Sequence, residues 1–163
     1  GGELMKKNGK GRSSTKYIVI HCAATKPSMD IGVEEIRKWH TDPPRNWDDV
    51  GYHYIIRRSG TIEKPMLEVG RYLEVPGAHV AAHNHESIGI CLVGGLSEDN
   101  QPENNFTPDQ MMVLHDLIKV CMLMYPDAEI VGHCDLDPDN KSNCPGFDVR
   151  QWFIEEFIGP HGG

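Results

Sequence analysis

His21 in "YIVIHC", His133 in "IVGHC" and Cys144 in "NCPGF" are the side chains whose types and spacing could do shared chemistry. Each histidine closes a short apolar, β-branched run, and in an α/β sheet residues at neighbouring strand ends reach a common crevice. Cys144 follows His133 by eleven residues, a loop long enough to turn back to the same place. Two imidazoles and one thiolate are ligand types that zinc accepts, and three protein ligands leave the fourth tetrahedral position to water. Cys134 competes for the thiolate role, and it could also pair with Cys144 in a disulfide. These two are the only ones of the five cysteines in loop-like sequence, since Cys22, Cys91 and Cys121 sit in apolar settings and read as small buried thiols. If His133 is extended, its immediate neighbour points the other way, which favours Cys144. Pro145 then makes a rigid corner before Asp148, a good helix cap. Of the other histidines, His40, His115 and His161 read as structural or exposed. His79, His83 and His85, in "GAHVAAHNHESIG", could form a metal cluster of their own, although nothing in their spacing demands it.

The elements that must carry these residues alternate between strands and helices. "KYIVIHC" is too short for a helix and reads as the first strand, while "IGVEEIRKWHT" puts Val33, Ile36, Trp39 and His40 on one helical stripe. "GYHYIIRRSGTIEK", residues 51–64, reads as two strands around a turn at Ser59 and Gly60. "SIGICLVGG" is a continuous apolar run ended by glycines, as expected of a central strand covered on both faces. In "FTPDQMMVLHDLIKVCMLMY" Thr107 is the expected N-cap, Pro108 the first helical residue and Gln110 the partner in a capping box. Met111, Leu114, Leu117, Ile118, Cys121 and Tyr125 would form its buried face. "AEIVGH" reads as the last strand, and Asp148 with Gln151 opens a final helix. The expected fold is α/β: a single domain with a central mixed β-sheet flanked by helices. The polar loops at 41–50, 95–106 and 134–146 are connections within it, of a length that tends to carry function.

Composition narrows the partners. With 24 acidic and 16 basic residues the formal charge is −8, which repels phosphate backbones and argues against nucleic acid. No apolar run approaches the roughly 20 residues of a membrane span. The start, "GGELMKKNGKGRSSTK", lacks the apolar core of an export signal and has too little apolar surface to order itself. Residues 1–15 are therefore expected to be a disordered N-terminal segment outside the fold, 16–158 the domain and 159–163 a tail.

"IVIHCAATKPSMDIGVEEIRKWH", "DVGYHYIIRRSGTIE", "GAHVAAHNHESIGICLVGG", "NFTPDQ" and "GH…CPGFD" together resemble the type 2 family of zinc-dependent N-acetylmuramoyl-L-alanine amidases. Within it the motifs are most similar to the amidase-type lysozymes of T-odd bacteriophages, and animal peptidoglycan recognition proteins share the fold. The resemblance implies one zinc ion per chain held by His21, His133 and Cys144, with water as fourth ligand. It places Tyr52 beside the metal as a catalytic residue, in keeping with a strand alternation that sends Tyr52 and Tyr54 to one face and His53 to the other. It also places a lysine shortly before the third ligand, to stabilise an oxyanion. Lys141 is the candidate, three residues before Cys144; the phage pattern puts the lysine two before, where Ser142 stands, and the intervening loop is about three residues longer here.

The implied reaction is hydrolysis of the amide joining the lactyl group of N-acetylmuramic acid to L-alanine in peptidoglycan, by a zinc-activated water and a carbonyl polarised by the metal. The loops at 41–50 and 76–87 should line the groove, with His79 and Asn84 contacting substrate. Arg45, Arg57 and Arg71 are available for its anionic stems. A monomer is the default, made in the cytoplasm and acting on the cell wall, or secreted with its signal trimmed away. Two rivals remain: a peptidoglycan-binding module without catalysis, and a zinc domain closed by Cys134 as fourth ligand.

Overall fold

The structure, a computed structural model, describes residues 11–159. The expected disordered segment over 1–10 and the tail over 160–163 lie outside the described residues. Five strands form one sheet: β1 (Tyr17–Cys22), β2 (Tyr54–Ile56), β3 (Leu67–Val69), β4 (Ser87–Leu92) and β5 (Glu129–Gly132). Their order is β3-β2-β4-β1-β5, with β2, β4, β1 and β5 parallel and β3 antiparallel at the edge. The sheet is mixed, as expected, and "SIGICL" is its middle strand with all six residues buried.

Alternation along β1 and β4 gives the sheet two different faces. On one, Ile18, Ile20, Ile88, Ile90 and Leu92 pack with Ile56 against Leu114, Leu117, Ile118 and Cys121 of helix α2 (Pro108–Met124) and Val149 of helix α4 (Val149–Phe153). These isoleucines are fully buried, each stabilising the fold by about 1.5–3 kcal/mol relative to exposure. The other face carries Val19, His21, Gly89 and Cys91, and is covered by Val33 and Ile36 of helix α1 (Val33–Thr41), Val50 and Val80. One face is therefore an apolar foundation, and the other holds the polar side chains.

α2 begins as its sequence requires: the Gln110 N–H donates to Thr107 Oγ1 and the Thr107 N–H to Gln110 Oε1, both at 3.0 Å. Gln110 also donates from Nε2 to the carbonyls of Ile56 and Val93, so the cap ties the helix to two strands' ends. Asp148 caps α4 by accepting the Gln151 N–H, and the chain continues as one π-helical turn to Ile158.

Four expectations need correction. The return strand of the β2 hairpin is Leu67–Val69 instead of a stretch before Lys64. Thr61 and Lys64 close a turn on each other, and Pro65, which has no N–H, delays pairing until Met66 accepts from Arg57. Trp39 leaves the buried stripe of α1 and is 40% exposed. Regular alternation does not reach Tyr52, because β2 begins at Tyr54: Tyr52 packs on the His21 face and Tyr54 on the α2 face. Residues 11–15 are attached to the fold, through Arg12 N–H to Glu74 O, Ser13 N–H to His85 O, and the Arg12 guanidinium on the Leu73 carbonyl.

Candidate functional site

β1 delivers His21 at its carboxyl end, and β5 ends at Gly132, where the chain turns into a single helical turn, α3 (His133–Leu136), that opens with His133. His133 is thus the first residue of a helix, not the last of a strand, and Cys134 falls away because the helix rotates it. The Cys134 N–H donates to the Cys144 carbonyl, which closes the loop 134–144 on itself and brings the Cys144 side chain back over β1. There Cys144 Sγ accepts from the Cys22 N–H at 3.4 Å. The Asp135 carboxylate accepts the Gly132 N–H and fixes the turn that aims His133.

The ring nitrogens His21 Nδ1 and His133 Nδ1 face each other at 3.0 Å. One donor atom each from His21, His133 and Cys144 lies within 4.8 Å of the others, the only such group of three among the described residues. Atoms about 2.0–2.3 Å from one tetrahedral centre stand roughly 3.3–3.6 Å apart, so this set fits a zinc ion. Cys134 is not among them. Cys22, expected as a buried core thiol, is half-buried and hydrogen-bonded to the Cys144 thiol. His79, His83 and His85, which could have formed a cluster of their own, do not: His83 pairs with Glu86, His85 is exposed, and His79 turns inward to His21.

The electrostatics suit metal ligands. Burial, then the neighbouring His79 and His133, hold His21 well below the ordinary histidine value; burial and Lys141 hold His133 at about 4. Both are neutral at pH 7 with a lone pair to give. The Cys144 thiol is pushed up by its hydrogen bond to Cys22 and by burial. Tyr52 sits beside this group, its ring 5.1 Å from that of His21. Burial and the surrounding thiols raise its phenol well above the usual value, so it is an O–H donor.

The donors open onto a cleft in two lobes of about 390 and 380 Å³, both lined by His40, Arg45, Tyr52, His133 and Lys141. Lys141 is exposed on its wall; Ser142 lines neither lobe. Asn84 lines the second lobe, and its Oδ1 also accepts the N–H groups of His79 and Val80. Of the three arginines only Arg45 borders the cleft. Arg57 is buried between Asp30 and Glu68, and Arg71 is spent on Asp48 and the carbonyls of Val50 and Pro76. His40, read as structural, is so through Nδ1, which accepts the Gly51 N–H at 2.9 Å, yet its ring also forms part of the cleft wall.

A mostly parallel sheet with two imidazoles and a thiol converging on an open polar cleft at its carboxyl edge defines the class: an α/β protein with a cleft equipped to hold a metal ion. Residues 11–147 match the family described as N-acetylmuramoyl-L-alanine amidase. The chain is 44% identical over 142 residues to the endolysin of Klebsiella phage KP32, covering 87% of each chain. It is 43% identical over 144 residues to the endolysin of Escherichia phage T7, covering 88% of this chain and 89% of that one. Among solved structures, N-acetylmuramoyl-L-alanine amidase LysC from Clostridium intestinale URNW superposes with a TM-score of 0.66 at 26% identity, over 87% of this chain and 83% of the other. The chain belongs to the N-acetylmuramoyl-L-alanine amidase family, enzymes that cleave the amide between N-acetylmuramic acid and L-alanine in peptidoglycan.

Proposed function

We propose that the amidase activity of this chain depends on one zinc ion held by His21, His133 and Cys144, and that its task is lysis of the cell wall, as the endolysin names of the two phage relatives suggest. The observation that carries this is the convergence of His21 Nδ1, His133 Nδ1 and the Cys144 thiol beneath a cleft that Tyr52 and Lys141 also line. Zinc bound there supplies an acidified water and a polarised carbonyl. The Tyr52 phenol, protonated beside His21, and the Lys141 ammonium donate hydrogen bonds to the amide oxygen as it gains charge, and one of them gives its proton to the leaving amine and is reprotonated by the proton that the attacking water loses. Arg45, over the Trp47 ring at 5.7 Å, offers a cation to the stem carboxylates, and Asn84 offers a carboxamide in the second lobe. Every one of these residues comes from a single chain, so a monomer suffices. No helix among the described residues is long and apolar enough to cross a membrane.

Two measurements on one preparation test this reading. Purified protein should contain about one zinc per chain and release stem peptides with a free L-alanine amino terminus from cell walls. Metal retained without new alanine amines would instead favour a recognition module. His21→Ala and Cys144→Ser should each lose the metal; unchanged metal content in both would mean a different ligand set.

A further inference from the structure

We propose that His79 is a positioning residue: with Ser87 it fixes His21 as the Nε2–H tautomer, so that the Nδ1 lone pair of His21 stays aimed at the metal. The inference rests on the metal site proposed above, and it follows from the direction of one hydrogen-bond chain. Ser87 Oγ and the His83 carbonyl oxygen are 2.8 Å apart. Two oxygens so close need a proton between them, and only the hydroxyl has one to give. Ser87 Oγ must then accept from His79 Nε2, 3.1 Å away, which puts the His79 proton on Nε2. His79 is buried with no carboxylate among its partners, so it is neutral and its Nδ1 is bare. That bare nitrogen is 2.8 Å from His21 Nε2, which must donate to it. His21 therefore keeps its proton on Nε2 and presents Nδ1 to His133 and Cys144. A backbone carbonyl three hydrogen bonds away thus sets which nitrogen of a ligand is free, the role that outer partners of metal-bound histidines generally play.

The fold makes room for this ring at two glycines. A Cβ at Gly89 would stand 2.6 Å from His79 Cγ, and one at Gly77 would stand 2.6 Å from His79 Cδ2. Asn84 Oδ1 accepts the His79 N–H and holds the backbone that carries it. The ring thus lies close against two glycines, on a backbone that Asn84 holds.

The tautomer can be read directly on metal-free protein with ¹⁵N-labelled histidine, from the long-range couplings of the ring protons. Wild type should show Nε2–H at both His21 and His79. Ser87→Ala removes the anchor and lets His79 carry its proton on Nδ1, which then donates to His21 and drives its proton to Nδ1. Zinc affinity should fall on the order of ten- to a hundredfold. Ser87→Thr, which keeps the hydroxyl, should behave as wild type. His79→Gln, which can accept from His21 and donate to Ser87, should stay within a few fold of wild-type affinity, whereas His79→Leu should not. His21 found as Nδ1–H in the wild type, or Ser87→Ala without effect on tautomer and affinity, overturns the proposal. If Ser87→Ala does not fold, Gln and Leu at position 79 with equal affinity overturn it. If instead the ligand set is wrong, His21→Ala keeps its metal while the tautomer change in Ser87→Ala still occurs, so the two failures are distinguishable.

Discussion

Lys141 shows how much a single residue's place decides. It stands three before Cys144 on the wall of the cleft, while Ser142, one step nearer the cysteine, lines a different cavity, so the lysine's charge is the one over the site. In the proposed mechanism Lys141 meets charge that develops during hydrolysis and does not hold the ligands, so Lys141→Ala should keep full metal content. Loss of one such donor typically lowers kcat by about a hundred- to a thousandfold. Ser142→Ala should stay within a few fold of wild type. A Lys141→Ala enzyme with wild-type kcat, or one that has lost its zinc, would remove the lysine from this role. By the same proposed mechanism Tyr52→Phe should lower kcat with metal retained, because it removes the phenol proton and keeps the ring. That His21, His133 and Cys144 could converge was legible in the sequence, because residue types and the ends of short apolar runs are local, and the three do converge. What His79 does was not legible: its partners Ser87 and His21 are set by a loop and a strand register that no spacing reveals.

The middle strand makes the same point at the level of elements. "SIGICL" reads as a buried central strand from its apolar run alone, and it is one, but the run does not say why its third residue is glycine. On the face opposite the apolar foundation, Gly89 lies beneath the His79 ring. Alanine replacing glycine within a strand would ordinarily gain stability by restricting the unfolded chain. Here the new methyl has nowhere to go, and overpacking of this kind costs about 1–3 kcal/mol. Gly89→Ala should therefore lower the urea midpoint, and by displacing His79 it should also weaken zinc binding. A variant as stable as wild type with unchanged metal affinity would mean that the ring is not held there. The elements that sequence misplaced are the short ones. Leu67–Val69 and Tyr54–Ile56 are three residues each, too few for a period to show, and they are fixed by pairing with β4 and with each other. The long helix α2 carried its own cap and stripe, and was legible from end to end.

For the molecule as a whole, the cost of building a site from buried imidazoles appears in its response to pH. Burial holds His53 at about 4, and burial, with nearby Arg45 and Arg71 pushing the same way, holds His40 at about 4. His53 is fully buried between the Val75 carbonyl, which accepts from Nε2, and the Gly89 N–H, which donates to Nδ1. The unfolded chain takes up these protons near the ordinary histidine value of about 6.5, the folded chain only near 4. Between those two values the unfolded state binds more protons, so stability rises with pH. The contribution is complete above about 6.5 and is lost as pH falls through that window to about 4. For His53 alone it is about 3 kcal/mol, as an order of magnitude. Urea unfolding with a chelator present, so that release of metal cannot mimic the effect, should show falling midpoints from pH 7 to 4. His53→Gln keeps one acceptor and one donor but cannot titrate. Its midpoint should fall less steeply than that of wild type over this range, by about one proton's worth of slope. Parallel wild-type and His53→Gln curves would mean that His53 does not carry the acid sensitivity, and a flat wild-type curve would mean that these imidazoles are not held neutral by the fold.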